Sequence, residues 1–268
     1  TPITWRSPPG LSKFNACDEI NGEPDVFDSS TALVMAKNPS ACSILIRRWA
    51  CADSCGQQAL ISVVLPIVEQ LSYHPHAHVL VTALLNSGTA VQCRQITQEL
   101  SRSAVLLAED VYGCVVIQQA LLRTEASELL VSPLIAHLVQ CSMHPCGNHV
   151  MQRLVEVLPP SRLSPAVRVV CQFGVKRLSL NKFGCRIVQR LLQCCTMNIV
   201  SPILDDLQQC SYDLIAHQYG NYVLQDALVR GRPEDRVKIC SDVLRCDVIS
   251  LRNDRCAHKL VEKCVCVL

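Results

Sequence analysis

The sequence predicts an all-α fold, a solenoid of about seven short helical units stacked into a superhelix with a concave face. Three observations lead there. A related segment returns along most of the chain at a steady interval. Gly is scarce, with 10 residues in 268, and strand-like alternation is rare. Hydrophobic residues make up 49% of the chain but aromatics only 4%, so the core must be built from Leu, Val, Ile and Ala.

The returning segments read, in order, "NPSACSILIRR" (38–48), "HPHAHVLVTALL" (74–85), "DVYGCVVIQQALL" (110–122), "HPCGNHVMQRLV" (144–155), "NKFGCRIVQRLL" (181–192), "HQYGNYVLQDAL" (217–228) and "DRCAHKLVEKCV" (254–265). Aligned on the residue after the small Gly or Ala, they give the anchors Cys42, His78, Cys114, Asn148, Cys185, Asn221 and His258, separated by 36, 36, 34, 37, 36 and 37 residues. A period of this size holds two or three helices. One such unit cannot bury its apolar face alone, and stacked neighbours do that. Pattern alone leaves the hand of the superhelix open.

Ser-Pro pairs suit helix starts, because Ser can cap and Pro tolerates the first turn. "SPAVRVVCQF" (164–173) and "SPILDDLQQCSYDLI" (201–215) are therefore expected to supply the outer and middle helices ahead of an anchor helix. Residues 1–30 are Pro-, Gly- and Asp-rich without periodicity and predict a flexible lead-in, with the repeat domain over 31–268.

Composition narrows the function. The formal net charge of +2 and pI near 7.8 give no strong basic signature, although a local patch acts without a large total. The opening "TPITWRSPPG" has no leader character, and no apolar run is long enough to cross a membrane. The 18 cysteines are then expected to be free thiols in a reducing, cytoplasmic setting, mostly small apolar core residues. The closest pairs, Cys51/Cys55, Cys194/Cys195 and Cys264/Cys266, lack the matching second pair that zinc needs. His74, His144 and His217 recur just ahead of an anchor helix, where contacts at the helix start are expected rather than a metal site. No Ser/His/Asp or Cys/His set stands out, so no enzyme, cofactor or small-molecule substrate is expected.

The anchor helices carry the chemistry. Residues i and i+4 lie one above the other on a helix. Asn221 and Gln225 therefore point the same way with Tyr222 beside them. The same holds for Asn148, Gln152 and His149, for Cys185, Gln189 and Arg186, and for Cys114, Gln118 and Val115. Two amides one turn apart can meet the edge of a flat base, and an adjacent ring or guanidinium can stack on its face, worth about 1–3 kcal/mol per base. Single-stranded RNA offers such splayed bases, whereas a duplex hides them.

"DVYGCVVIQQ", "NKFGCRIVQR", "HQYGNYVLQD" and "DRCAHKLVEKCV" resemble the Pumilio (PUF) repeat, whose inner helix reads roughly aromatic-Gly-(Cys/Asn/Ser)-x-x-x-Gln/Glu. The resemblance covers residues 31–268 and is strongest in units three to six. It implies a right-handed solenoid of three-helix repeats and one base per repeat, with the RNA antiparallel to the chain. It also implies that Asn with Gln takes uracil and Cys with Gln takes adenine. Units six to three then read 5′-UAUA-3′. Glu262 of unit seven, with His258 and Lys259 beside it, implies a preceding guanine, although His258 stands where the family has Ser. In units one and two Ile46 and Thr82 replace the glutamine, leaving Cys42, Ser43, His78 and Val79 as weaker contacts. An eighth unit is usual in the family, so the chain is expected to be a fragment. The implied role is regulation of messenger RNA through 3′ untranslated regions, with protein effectors of repression or decay. The alternative is a scaffold that binds structured ribosomal or precursor RNA non-specifically in the nucleolus, or binds protein.

Overall fold

The structure is a computed structural model and describes residues 28–247, 251 and 256–267. Its described residues are helical and fall into stacked units. Unit one holds α1 (Ser29–Lys37) and α2 (Pro39–Cys51). Unit two holds α3 (Ser54–Val64), α4 (Val68–Ser72) and α5 (His78–Ser87). Unit three holds α6 (Ala90–Ser101), α7 (Ala104–Glu109) and α8 (Gly113–Leu121), and unit four α9 (Thr124–Ala136), α10 (Leu138–Met143) and α11 (Gly147–Val157). Unit five holds α12 (Ser164–Phe173), α13 (Val175–Ser179) and α14 (Gly184–Cys194). Unit six holds α15 (Met197–Leu214) and α16 (Gly220–Arg230), and unit seven α17 (Pro233–Arg245) and α18 (His258–Val267).

The expected periodicity corresponds to this stacking. Each inner helix packs on the next, α2 on α5, α5 on α8, and so on to α16 on α18, and the outer helices α6, α9, α12, α15 and α17 form a second, parallel series. The core lies between the two series. On α16, for example, Val223, Leu224, Ala227 and Leu228 are buried. Burying each large aliphatic side chain contributes about 1.5–3 kcal/mol.

Helix starts follow local chemistry. Thr89 and Gln92 form a capping box on α6, and Asn38 caps α2 ahead of Pro39. In units three to six a buried glycine opens the inner helix where it crosses the helix before it. A Cβ on Gly147 would lie 2.6 Å from the Cys141 carbonyl oxygen, and one on Gly220 would lie 2.7 Å from Leu214 Cδ2. Close approach is therefore what the glycine of the repeat provides.

Two expectations need correction. The 18-residue α15 is continuous, so unit six has no separate middle helix, and Ser201-Pro202 lies inside it rather than at its start. Pro202 is the sixth residue of this helix, past the first turn, so the helix forgoes one backbone hydrogen bond there. In units two to five the outer and middle helices break eleven residues before the anchor, at Ile67, Ser103, His137 and Gly174, the last with φ 108°. Cys210 occupies that place in unit six and stays helical. Beside it, Gln208 and Ser211 donate to Asp235 and Asp242 of α17, which tethers the rod along its length. The second correction is the N-terminal boundary. α1 begins at Ser29, capped by the Asp28 side chain and tied by Ser29 Oγ to the Val63 carbonyl at 2.7 Å. The rest of the expected lead-in lies outside the described residues.

Candidate nucleic-acid interface

A shared turn sets up each inner helix. Four residues before the anchor stands Asn38, His74, Asp110, His144, Asn181 or His217. Each accepts two backbone N–H bonds from the turn that follows. His144 Nδ1 accepts from Cys146 and Gly147 at 3.2 and 3.3 Å, Asp110 Oδ1 from Tyr112 and Gly113 at 2.8 and 2.7 Å, and Asn181 Oδ1 from Phe183 and Gly184 at 2.9 Å. His217 Nδ1 accepts from Tyr219 and Gly220 at 3.2 and 3.1 Å. The expected helix-start role of the three histidines is therefore present, and Asp and Asn fill it too. Asp254 holds the place in unit seven but lies outside the described residues.

On this frame the anchors sink and their neighbours stand out. Cys42, Cys114, Asn148, Cys185 and Asn221 are buried, and His78 and His258 half-buried. The next residues, Ser43, Val79, His149, Arg186, Tyr222 and Lys259, are exposed, with Val115 half-buried. Gln118, Gln152 and Gln189 are half-buried, Glu262 is exposed, and Gln225 is only 6% exposed. Because the inner helices lie side by side, these positions form rows: a floor of amides and thiols, edged by rings and cations.

The amides are oriented before any ligand arrives. Asn148 Nδ2 donates to the carbonyls of His144 and Pro145 at 2.9 and 2.6 Å, and Gln152 Nε2 donates to Asn148 Oδ1 at 3.0 Å. Asn221 Nδ2 donates to the His217 carbonyl at 2.7 Å, and Gln225 Nε2 to Asn221 Oδ1 at 2.9 Å. A carbonyl can only accept, so each asparagine must turn its oxygen to the glutamine. The glutamine keeps its oxygen and a second N–H for a partner. Gln118 Nε2 donates to the Cys114 carbonyl at 3.1 Å and keeps the same pair of groups.

Burial raises the thiols of the floor above their ordinary value. Burial first, then the neighbouring Cys146, pushes Cys114 up to about 12. Burial also raises Cys185. Each donates weakly to a carbonyl three residues back, Val111 at 3.4 Å and Lys182 at 3.5 Å. A protonated, buried sulfur is a compact contact surface, not a nucleophile.

Several side chains of units one and two are engaged within the protein. His78 stacks on Tyr112 of unit three with centroids 5.2 Å apart, Thr82 and Ser43 bond their own helix backbone, and Cys42 Sγ lies 3.7 Å from the His76 carbonyl. Gln189 departs from the other glutamines. Its Nε2 donates to Asp226 Oδ2 at 2.7 Å and the Tyr222 carbonyl at 3.3 Å, both in unit six. Sequence reasoning passed over Asp226. The available signal was its acidity at a place held elsewhere by Gln119, Arg153, Arg190 and Lys263.

Comparison with known proteins agrees with this architecture. The Pumilio-family RNA binding repeat matches residues 103–125, 137–167, 175–207 and 211–244. The chain is 24% identical over 209 residues to putative pumilio homolog 13 of Arabidopsis thaliana, covering 76% of the chain and 39% of that protein. It is 30% identical over 166 residues to putative pumilio homolog 8, chloroplastic, of the same plant, covering 59% and 32%. It thus spans about a third of the length of these relatives. Among solved structures, PUF-8 in complex with PBE-RNA superposes with a TM-score of 0.82 at 21% identity, covering 90% of this chain and 70% of that one. The Puf3 RNA binding domain bound to Cox17 RNA 3′ UTR recognition sequence site B gives 0.78 at 24%, covering 90% and 69%. With seven stacked units, the glycine-opened inner helices and four matched repeats, the chain belongs to the Pumilio family of RNA-binding repeat proteins.

Proposed function

We propose that the chain binds single-stranded RNA sequence-selectively, one base to each inner helix of units three to seven. The observation that carries this reading is the pair of pre-oriented amide ladders, Asn148–Gln152 and Asn221–Gln225, each beside an exposed ring, His149 or Tyr222. Each glutamine offers one acceptor and one donor. Uracil answers with its N3–H and a carbonyl oxygen on one edge, so units four and six take U. By family resemblance the Cys/Gln pairs of units three and five take A, and Glu262 takes a preceding G. The core site is then 5′-GUAUA-3′. His149, Arg186, Tyr222 and Lys259 stack on or neutralise the strand, and units one and two contribute little base choice. No step here requires a reactive group or cofactor. The cellular role we assign is regulation of messenger RNA through 3′ untranslated regions, in the cytoplasm, with recruited protein effectors. The solved relatives bound to PBE-RNA and to a Cox17 RNA 3′ UTR sequence support that reading.

Binding to GUAUA and scrambled oligonucleotides at physiological salt tests it. A selective reader loses about 1–3 kcal/mol per wrong base. Near-equal binding with steep salt dependence would instead mark a non-specific scaffold. Tyr222 is 41% exposed, and Tyr222→Ala should weaken every RNA by about 1–3 kcal/mol while preserving the order of preference. A changed order with unchanged affinity would contradict the stacking role.

A further inference from the structure

Gln189 is held differently from every other glutamine of the floor. Both amide hydrogens are taken, one by the Asp226 carboxylate and one by the Tyr222 carbonyl. The assignment of nitrogen and oxygen is not arbitrary, because both partners can only accept. Asp226 is itself fixed by its neighbours. Gln193 Nε2 donates to Asp226 Oδ1 at 3.2 Å, and Arg190 Nη1 donates to Gln193 Oε1 at 3.0 Å, which settles which way Gln193 faces. Arg190 in turn pairs with Glu156 of unit four at 3.2 Å. A polar chain therefore runs from unit four to unit six and ends on Gln189.

What remains on Gln189 is its Oε1, which is buried and has no partner. An acceptor left buried and unmatched is unfavourable in itself and presents no surface to an incoming base. The Cys185 thiol does not restore the donor, since it already faces the Lys182 carbonyl. Gln118, Gln152 and Gln225 each use one N–H inside the protein and keep the other.

Building on the RNA-reading proposal, we infer that Asp226 is a specificity-setting residue that relaxes base choice at unit five by taking the donor of Gln189. Reading adenine needs an acceptor for its N6–H and a donor for its N1. Gln189 has no donor left, and its acceptor is buried. With both amide hydrogens taken and Oε1 buried, this glutamine has no free edge group to tell one base from another. The third nucleotide of GUAUA is then a tolerant position between two selective ones. Asp226 acts through Gln189 and reaches it across 37 residues of sequence.

The test uses the protein as it stands and five-nucleotide RNAs. Replacing the third nucleotide of GUAUA by U, G or C should change affinity less than about threefold, whereas replacing the fourth, read by unit four, should cost about tenfold or more. Asp226→Ala frees the second N–H of Gln189 and should restore about tenfold preference for one base at the third position, leaving the fourth-position preference unchanged. A merely structural role for Asp226 would move both positions together. Wild-type discrimination of tenfold or more at the third position overturns the inference without any variant, as does a folded Asp226→Ala protein that stays tolerant there. Failure to bind any of the RNAs would remove the functional reading itself, an outcome distinct from binding with a selective third position.

Discussion

Replacing Gly147 by alanine tests the link between repeat packing and base reading. The added Cβ would lie 2.6 Å from the Cys141 carbonyl oxygen and 2.9 Å from the Cys141 Cα, against 3.4 Å for ordinary contact. Both neighbours are backbone atoms of α10, so no side chain can swing away. The helices must separate by about 0.8 Å, the shortfall at the carbonyl. Overpacking of this kind costs about 1–3 kcal/mol. The better helix propensity of alanine offsets up to about 1 kcal/mol. The net destabilisation should be about 1–2 kcal/mol, or roughly 2–8 °C in Tm for a domain of this size. Thermal unfolding followed by circular dichroism at 222 nm measures it. The same shift moves Asn148 and Gln152, which begin one residue further on, so fourth-position selectivity in GUAUA should fall with it. Ala77 stands in the corresponding place of unit two and is fully buried, so a methyl can be housed when the surrounding helices are built for it. A Tm equal to or above wild type would show that unit four already has that room, and the steric account of the glycine would be wrong.

His217 accepts two backbone N–H bonds at the start of α16, so His217→Ala should cost about 1–2 kcal/mol while His217→Asn stays near wild type, because Asn181 does the same work in unit five. Equal losses in both variants, read by urea unfolding, would refute this turn-capping role. At Asp242 burial raises the carboxyl, but the bonds from Lys238 and Ser211 outweigh it and hold it below its ordinary value. A carboxyl lowered on folding contributes stability above its unfolded pKa of 3.8, and that contribution is lost as pH falls through the folded value. Asp242→Asn should therefore be less stable than wild type by about 1–3 kcal/mol at pH 7, with the gap closing below about pH 4. A gap independent of pH would count against the ion-pair origin.

The solenoid was legible because its signal is repeated: seven anchors in near-constant register specify seven inner helices even where single units are irregular. The polar ladders of units four and six were legible too, since i and i+4 on one helix are neighbours by geometry alone. What stayed hidden depends on contacts between units. The Gln189–Asp226 bond joins two helices, and nothing local to "NKFGCRIVQRLL" announces it. The depth of Asn148 and Asn221 was hidden as well, because their amides look like surface groups until the carbonyls of the capping turn are placed beneath them. The continuity of α15 at Cys210 was hidden for the same reason, since the bonds beside it run from Gln208 and Ser211 to Asp235 and Asp242 of the next unit.

That unbroken α15 has a mechanical consequence. Units two to five each carry a joint in the outer layer, where a small rotation can open or tighten the curve of the groove. Unit six carries a stiff strut instead, anchored to unit seven by two carboxylates. Bending of the superhelix to fit strands of different stacking should concentrate on the N-terminal side of the strut, leaving the pocket of Asn221, Tyr222 and Gln225 as the fixed point from which the spacing of the other bases is measured.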